Sequence, residues 1–340
     1  MNLKERINTL TAWGDALTNL PSQEWNAAFE SAENKNRWFT NSNCKQAVDA
    51  ILLWLNKETL LSWAKNYQIS DAPTGKIIGI VMAGNIPLVG FHDFLCVLIS
   101  GHNAKVKLSS QDDVLLPFLT NILISVDNQW KGSFSFEDRL NNIDAVISTG
   151  SDNSARYFEY YFRNIPKIIR KNRTSIGIIM GDEPVDEFIR LSRDVFSYFG
   201  MGCRNVSKIF IPDGFEIKLL QESFEAYTEI INHNKYGNNY DYQRAIRLVS
   251  GKPFTEFGNL ILEESKDLVS PIAVLYYQFY SNQDELKQFL SANQEKLQCV
   301  VSVKGWFTGS LPFGEAQSPG IDDYADGVDT MRFLNTSFRA

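Results

Sequence analysis

Between residues 76 and 212 short apolar runs ending in glycine or a polar turn alternate with longer amphipathic segments. That alternation restricts the fold more than any other feature of the chain. KIIGIVMAG (76–84), NAKVKLS (103–109), IDAVISTGS (143–151), SIGIIMG (175–181) and KIFIP (208–212) read as strands, because a parallel strand buried on both faces is a nearly continuous apolar run. LVGFHDFLCVLISG (88–101), DDVLLPFLTNILISVD (112–127), SARYFEYYFRN (154–164) and residues 185–199 read as the intervening helices, with Pro117 near the first turns of the second. Strands alternating with helices predict an α/β fold built on a doubly wound parallel sheet. Ligands bind such sheets at the carboxyl ends of the strands, here Ala83–Asn85, Lys107–Ser110, Thr149–Ser151 and Gly181–Asp182.

Residues 1–70 read as helical: Val48, Ile51, Leu52 and Leu55 recur at helical spacing behind the candidate caps Asn41, Ser42 and Asn43. Trp13, Trp25, Trp38, Trp54 and Trp63 in this segment are expected to anchor a core. KIFIP starts a second α/β unit: helical stretches near 215–233, 240–250 and 283–298 and strand-like runs at 259–264, 272–280 and 299–303 follow it and predict a second, smaller lobe. The tail from Thr308 reads as an ordered return loop. The expected domains are 1–198, 199–315 and a return segment, 316–340.

A formal net charge of −7 argues against a nucleic-acid partner. The basic cluster KIIRKNR (167–173) reads as a solvated helix end or turn. Four cysteines without a CxxC pair make neither a zinc site nor a disulfide scaffold, so no metal is expected. No apolar run reaches the ~18 residues of a membrane span. The N-terminal MNLKERINTL lacks a signal peptide's apolar core, which makes the cytoplasm the expected location. His92, His102 and His233 form no metal-binding spacing, and neither G-x-G-x-x-G nor a P-loop is present.

Cys203 stands apart from the other cysteines. Gly200 and Gly202 precede it after a helix, permitting an unusual backbone and close approach of a ligand, and the Arg204 charge favours a thiolate. A nucleophile and a buried structural cysteine both remain open on these residues alone.

GIVMAGNIPLVG, VKLSS, VISTGS and FGMGCRN, in that order, resemble the aldehyde dehydrogenase superfamily and within it most closely the LuxC-type acyl-CoA reductases of bacterial bioluminescence. The resemblance runs from about Lys76 to Phe333. It implies an aldehyde dehydrogenase-like fold, in which 1–198 holds the nicotinamide dinucleotide-binding domain and 199–315 the catalytic cysteine. Cys203 matches the catalytic cysteine, and Asn85 matches the asparagine that donates to the oxyanion with the cysteine's own N–H; such a donor contributes about 3 kcal/mol. Lys107 matches the lysine at the adenosine ribose, with Lys105 as the alternative. Gly150 and Ser151 match the turn under the pyrophosphate, with Ala155 where the family has a glycine. Asp267 aligns with a glutamate that binds the nicotinamide ribose. LPFGEAQSPGIDD (311–323) resembles the loop that closes the substrate channel.

One departure is informative. Hydrolytic members carry a glutamate that activates water, whereas the corresponding stretch here is Arg170-Lys171-Asn172-Arg173-Thr174. The resemblance therefore implies an NADPH-dependent reductase of an acyl-CoA or acyl-carrier thioester, with these cations as candidate partners for CoA phosphates. NADPH is favoured over NADH because Leu108–Gln111 carries no carboxylate to repel a 2′-phosphate. An oxidative aldehyde dehydrogenase and a non-catalytic nucleotide- or partner-binding relative are the alternatives, and a homo-oligomer stays open.

Overall fold

The computed structural model describes residues 1–338. Contacts divide the chain into two compact units, Met1–Asn172 together with the segment from Gly320, and Arg173–Pro319.

The first unit opens with four helices, α1 (Leu3–Thr18), α2 (Ser22–Lys35), α3 (Asn41–Trp54) and α4 (Lys57–Ala64). Three of them start where a side chain satisfies amides that lack a helical acceptor. Asn2 and Glu5 make a reciprocal capping box on α1, and Asn56 accepts from the Glu58 and Thr59 amides on α4. Thr40, just before the expected caps, accepts from Asn43 on α3. Trp13 and Trp63 are buried as expected, their indole N–H groups donating to the Leu119 carbonyl at 2.9 Å and the Tyr324 hydroxyl at 2.8 Å.

These helices share a core with a five-stranded sheet of β1 (Ile77–Val81), β2 (Asn103–Lys107), β3 (Phe134–Phe136), β4 (Ala145–Thr149) and β5 (Lys167–Arg170). The order is β3-β2-β1-β4-β5 and every pair is parallel. The chain thus winds outward from β1 to one side and returns to the other, leaving the switch point between β1 and β4. Helices α5 (Phe91–Ile99), α6 (Leu115–Val126) and α7 (Asp152–Tyr161) connect the strands. The basic cluster at 167–173 corrects the sequence reading: Lys167–Arg170 is the edge strand β5, and Arg170 points into the interior.

The second unit is a seven-stranded sheet, β6 (Thr174–Ile178), β7 (Val206–Pro212), β8 (Thr255–Glu256), β9 (Ile261–Glu264), β10 (Val274–Tyr280), β11 (Leu297–Ser302) and β12 (Leu311–Pro312), with helices α8 (Val185–Phe196), α9 (Gln221–Phe224), α10 (Asn234–Ser250) and α11 (Gln283–Asn293). Its order is β12-β11-β6-β7-β10-β9-β8, parallel except for β8 against β9. Because β6 pairs with β7 and β11, it and α8 belong to this unit, and the division falls after Asn172 rather than at 198. After Pro319 the chain rejoins the first unit, where helix Thr330–Thr336 buries Met331 and Leu334.

Candidate active site

In the first unit the predicted residues gather at the carboxyl ends of three neighbouring strands: Asn85 just past β1, Lys107 at the end of β2, and Gly150-Ser151 just past β4. Asn85 is exposed at the start of a tight turn. The turn closes at Leu88, whose φ of 57° lies in the left-handed region, a conformation that costs a β- or γ-branched residue free energy unless the surroundings enforce it. The enforcing group is Asp112, whose buried carboxylate accepts the Leu88 N–H at 2.7 Å. Its Oδ1 has no hydrogen-bond partner among the described residues, and burial pushes its pKa up to about 7. At Gly84 a Cβ would lie 2.5 Å from Ser109 Oγ, so the β1 turn and the β2 loop approach closely only with glycine there. Ser151 Oγ accepts the Ser154 N–H at 3.3 Å and opens α7.

A cleft of about 650 Å³ lies at the same sheet edge, lined by Val81, Met82, Lys107, Ser109, Ser110, Asp113, Phe136, Glu137 and Asp138 among others. The Lys107 ammonium donates to the Asp138 carbonyl at 2.7 Å. Lys105, the alternative, donates instead to the Asn141 carbonyl at 2.9 Å and does not line the cleft. Glu137 and Asp138 escaped sequence reasoning because the short strand that delivers them was not recognised.

In the second unit the chain leaves α8 through an irregular turn. Tyr198, Phe199 and Gly200 have successive φ values of 50°, 58° and 78°. Only the last is free of the side-chain penalty for left-handed backbone. Asn205 stabilises the turn by donating to the Ser197 carbonyl at 2.6 Å and the Asp194 carbonyl at 3.2 Å, while its Oδ1 accepts the Gly202 N–H at 2.8 Å. Ser175 Oγ donates to the Cys203 carbonyl at 3.0 Å. The backbone around Cys203 is therefore fixed from β6 and from α8, with the cysteine itself partly exposed. Arg204, expected to act through its charge, is buried and donates to the Ala316 carbonyl at 3.4 Å.

The other cysteines are poor nucleophiles for a physical reason. Burial pushes Cys44 up to about 12 and Cys299 up to about 11, and raises Cys96 well above the ordinary thiol value. A thiol so shifted has almost no thiolate at neutral pH.

The 311–323 loop is tied to the same helix as Cys203. Asp194, fully buried in α8, accepts the Gly314 and Ala316 N–H groups at 2.6 and 3.1 Å, and burial pushes its carboxyl up to about 7. Asp267 is exposed in the loop after β9. That loop is held from β7: Ser207 Oγ donates to the Leu268 carbonyl at 2.9 Å, and Lys208 donates to the carbonyls of Ser265 at 2.9 Å and Asp267 at 3.2 Å. Lys208 is completely buried, also donates to Gln278 Oε1 at 2.7 Å, and is lowered by burial to about 8. Within the second unit, β7 thus links the cysteine loop to the Asp267 loop. Asn205, Asp194 and Lys208, which hold these loops, are positions that sequence reasoning missed; only Asn205 had a signal, standing two places after the cysteine in GMGCRN.

Arg170 does not serve as a CoA-phosphate partner. Its guanidinium is ion-paired with Asp93 in the interior and donates to the Thr330 hydroxyl at 2.8 Å. Lys171 reaches Glu159 at 3.5 Å, and Arg173 donates to the Leu297 carbonyl at 3.0 Å.

Among the described residues no helix is long and apolar enough to cross a membrane, and no group of three or more His, Cys, Asp or Glu is placed to hold a metal. No protein-family model matches the sequence, and no curated protein matches it. Solved structures do. The chain is similar to an aldehyde dehydrogenase of Mycobacterium tuberculosis complexed with NAD+ (TM-score 0.65, 13% identity, 89% of this chain and 73% of that chain). It is similar to aldehyde dehydrogenase 21 of Physcomitrella patens in complex with the reaction product succinate (TM-score 0.62, 14% identity, 98% and 88%). A mutant of aldehyde dehydrogenase C of Pseudomonas syringae complexed with NAD+ and octanal matches with TM-score 0.63, 9% identity, 95% and 75% coverage. The fold is therefore aldehyde dehydrogenase-like, with a parallel-sheet cofactor-type domain and an α/β catalytic-type domain.

Proposed function

We propose that this chain is an oxidoreductase that uses a nicotinamide dinucleotide to reduce an acyl thioester, acyl-CoA or acyl-carrier, to an aldehyde, as the LuxC-type reductases it resembles do. The observation that carries the reading is a substitution of chemistry. Where the resemblance places a water-activating glutamate, the chain has Arg170 locked onto Asp93, while Cys203 stands on a backbone fixed by Asn205 and Ser175. A guanidinium cannot take a proton from water at neutral pH. An acyl-enzyme here is thus protected from hydrolysis and persists for reduction.

The Cys203 thiolate attacks the acyl carbonyl, the carbon–sulfur bond to the carrier breaks, and the carrier leaves as a thiolate that takes a proton from solvent. Asn85 donates to the oxyanion of the tetrahedral intermediate. Hydride to the acyl carbon is the chemistry a bound reduced nicotinamide supplies. Release of the aldehyde restores the Cys203 thiolate, so electrons and atoms balance. Lys107 and the Gly150-Ser151 turn hold the adenosine ribose and pyrophosphate, and Asp267 the nicotinamide ribose. The Leu108–Gln111 stretch taken alone favours NADPH; the folded cleft adds carboxylates from just past β3 that act against a 2′-phosphate. A reducing compartment suits a reactive thiol.

The test is intact-mass spectrometry after mixing the protein with an acyl-CoA and no cofactor. An acyl adduct that disappears in Cys203→Ala, and aldehyde release on adding reduced cofactor, are the expected results. Full acylation of Cys203→Ala, or no adduct across a range of acyl groups, overturns the reading.

A further inference from the structure

We infer that Glu137 and Asp138 are specificity-determining residues that make the cofactor cleft select NADH over NADPH, the carboxylates coming from the residues just past β3 rather than from the end of β2. The inference rests on the cofactor reading of the cleft and reverses the preference that Leu108–Gln111 suggests alone.

β3 pairs in parallel with β2 on its outer side, with Val106 opposite Phe136. The Glu137 N–H donates to the Val106 carbonyl at 2.8 Å, which sets Glu137 beside the end of β2, where Lys107 stands. Lys107 in turn donates to the Asp138 carbonyl at 2.7 Å, so the lysine and the two acidic residues form one wall of the cleft. Glu137 Oε1 accepts from Ser135 Oγ at 2.8 Å, which restricts its side chain. The facing segment contributes Ser109 and Ser110, hydroxyls without charge, and Asp113, which Lys35 neutralises at 2.9 Å. With Asp113 paired, the lining sets the Lys107 ammonium beside the two acidic residues Glu137 and Asp138.

A ribose with its hydroxyls intact donates hydrogen bonds to carboxylates, as the acidic residue of dinucleotide folds does. A 2′-phosphate brings added negative charge to the same wall and offers those carboxylates no donor. Binding NADPH there requires protonating or displacing them, whereas NADH requires neither.

The test is equilibrium titration of the full chain with NADH, NADPH, 5′-AMP and adenosine 2′,5′-bisphosphate, for the wild type, Glu137→Gln, Asp138→Asn and the double variant. The Asp138 main chain that holds Lys107 is retained in every variant. The wild type is expected to bind NADH at least about tenfold tighter than NADPH, a difference of about 1.4 kcal/mol. The same order holds for 5′-AMP over the bisphosphate, and the ratio shrinks as salt rises. In the double variant the NADPH and bisphosphate affinities rise relative to those of NADH and 5′-AMP, which lose the charged acceptors of their ribose hydroxyls. Equal or tighter NADPH binding by the wild type, or an unchanged ratio in the double variant, overturns the selectivity alone. Failure of all four ligands to bind overturns the cofactor reading beneath it.

Discussion

Arg170 and Asp93 form an ion pair in the interior of the first unit, closed by Thr330, whose hydroxyl accepts from the guanidinium at 2.8 Å and donates to Asp93 at 3.3 Å. Burial works against the Arg170 charge, and the adjacent Asp93 outweighs it, leaving the guanidinium pKa above its ordinary value. Arg170 Nε has no hydrogen-bond partner among the described residues, so the network is not fully satisfied. Removing one partner strands the other charge in an apolar setting, which typically costs about 3–5 kcal/mol, whereas replacing both with apolar residues is far milder. Arg170→Ala is expected to lose about that much stability in urea denaturation. The double variant Arg170→Met/Asp93→Leu should recover most of it. An Arg170→Ala protein as stable as wild type would show the pair to be incidental.

Asn85 is exposed. Asn85→Ala should leave the denaturation midpoint unchanged and lower the rate of Cys203 acylation by about 10²–10³, the usual cost of one oxyanion donor. Stopped-flow measurement of carrier release separates the two effects. A rate within a factor of two of wild type removes Asn85 from the mechanism.

Asp112 and Asp194 give stability an unusual pH dependence. Burial raises each from 3.8 to about 7, so between those values the folded chain holds a proton that the unfolded chain has lost. Their contribution is fully present below the unfolded pKa and is lost as pH rises towards 7, by about 1.4 kcal/mol per pH unit per group. Denaturation at pH 4.5, 5.5 and 6.5 should show Asp112→Asn and Asp194→Asn each losing less stability over this range than the wild type does. Parallel curves for wild type and variants would place both carboxyls at ordinary values.

The alternation of apolar runs and helices made the central strands legible, because β1 and β4 are nearly continuous apolar runs and β2 alternates buried Ala104 and Val106 with polar residues. The two strands of the first sheet that escaped, β3 and β5, are its edges. Phe134–Phe136 is three residues long and mixes phenylalanine with serine, and Lys167–Arg170 carries a cation at each end. Neither has a local pattern strong enough to announce a strand; pairing with β2 and β4 supplies it. The candidate site divides in the same way. Asn85, Gly150 and Cys203 stand in sequence-local turns and Lys107 at a strand end, whereas Glu137, Asp194 and Lys208 are placed by neighbours far along the chain. The division after Asn172 was illegible because β6 reads like any other parallel strand, and only its partners β7 and β11 assign it to the second sheet.

Lys208 holds the loop of Asp267 from beneath. Its ammonium donates to three acceptors, Ser265 and Asp267 carbonyls and Gln278 Oε1, and lies 5.1 and 5.3 Å from the ring centres of Phe210 and Phe289. Burial lowers it from 10.5 to about 8. Between those values the unfolded chain holds the extra proton, so stability rises with pH from about 8 to 10.5 as the cost of a buried charge is relieved. Lys208→Met keeps the packing on both rings but leaves the acceptors without their donor. The expected result is a loss of that pH-dependent rise and a severalfold weaker affinity for the reduced cofactor. Acylation of Cys203 in the absence of cofactor should stay at the wild-type rate, because that step does not use Asp267. A variant with slowed acylation and unchanged cofactor affinity would instead make Lys208 a support of the cysteine loop.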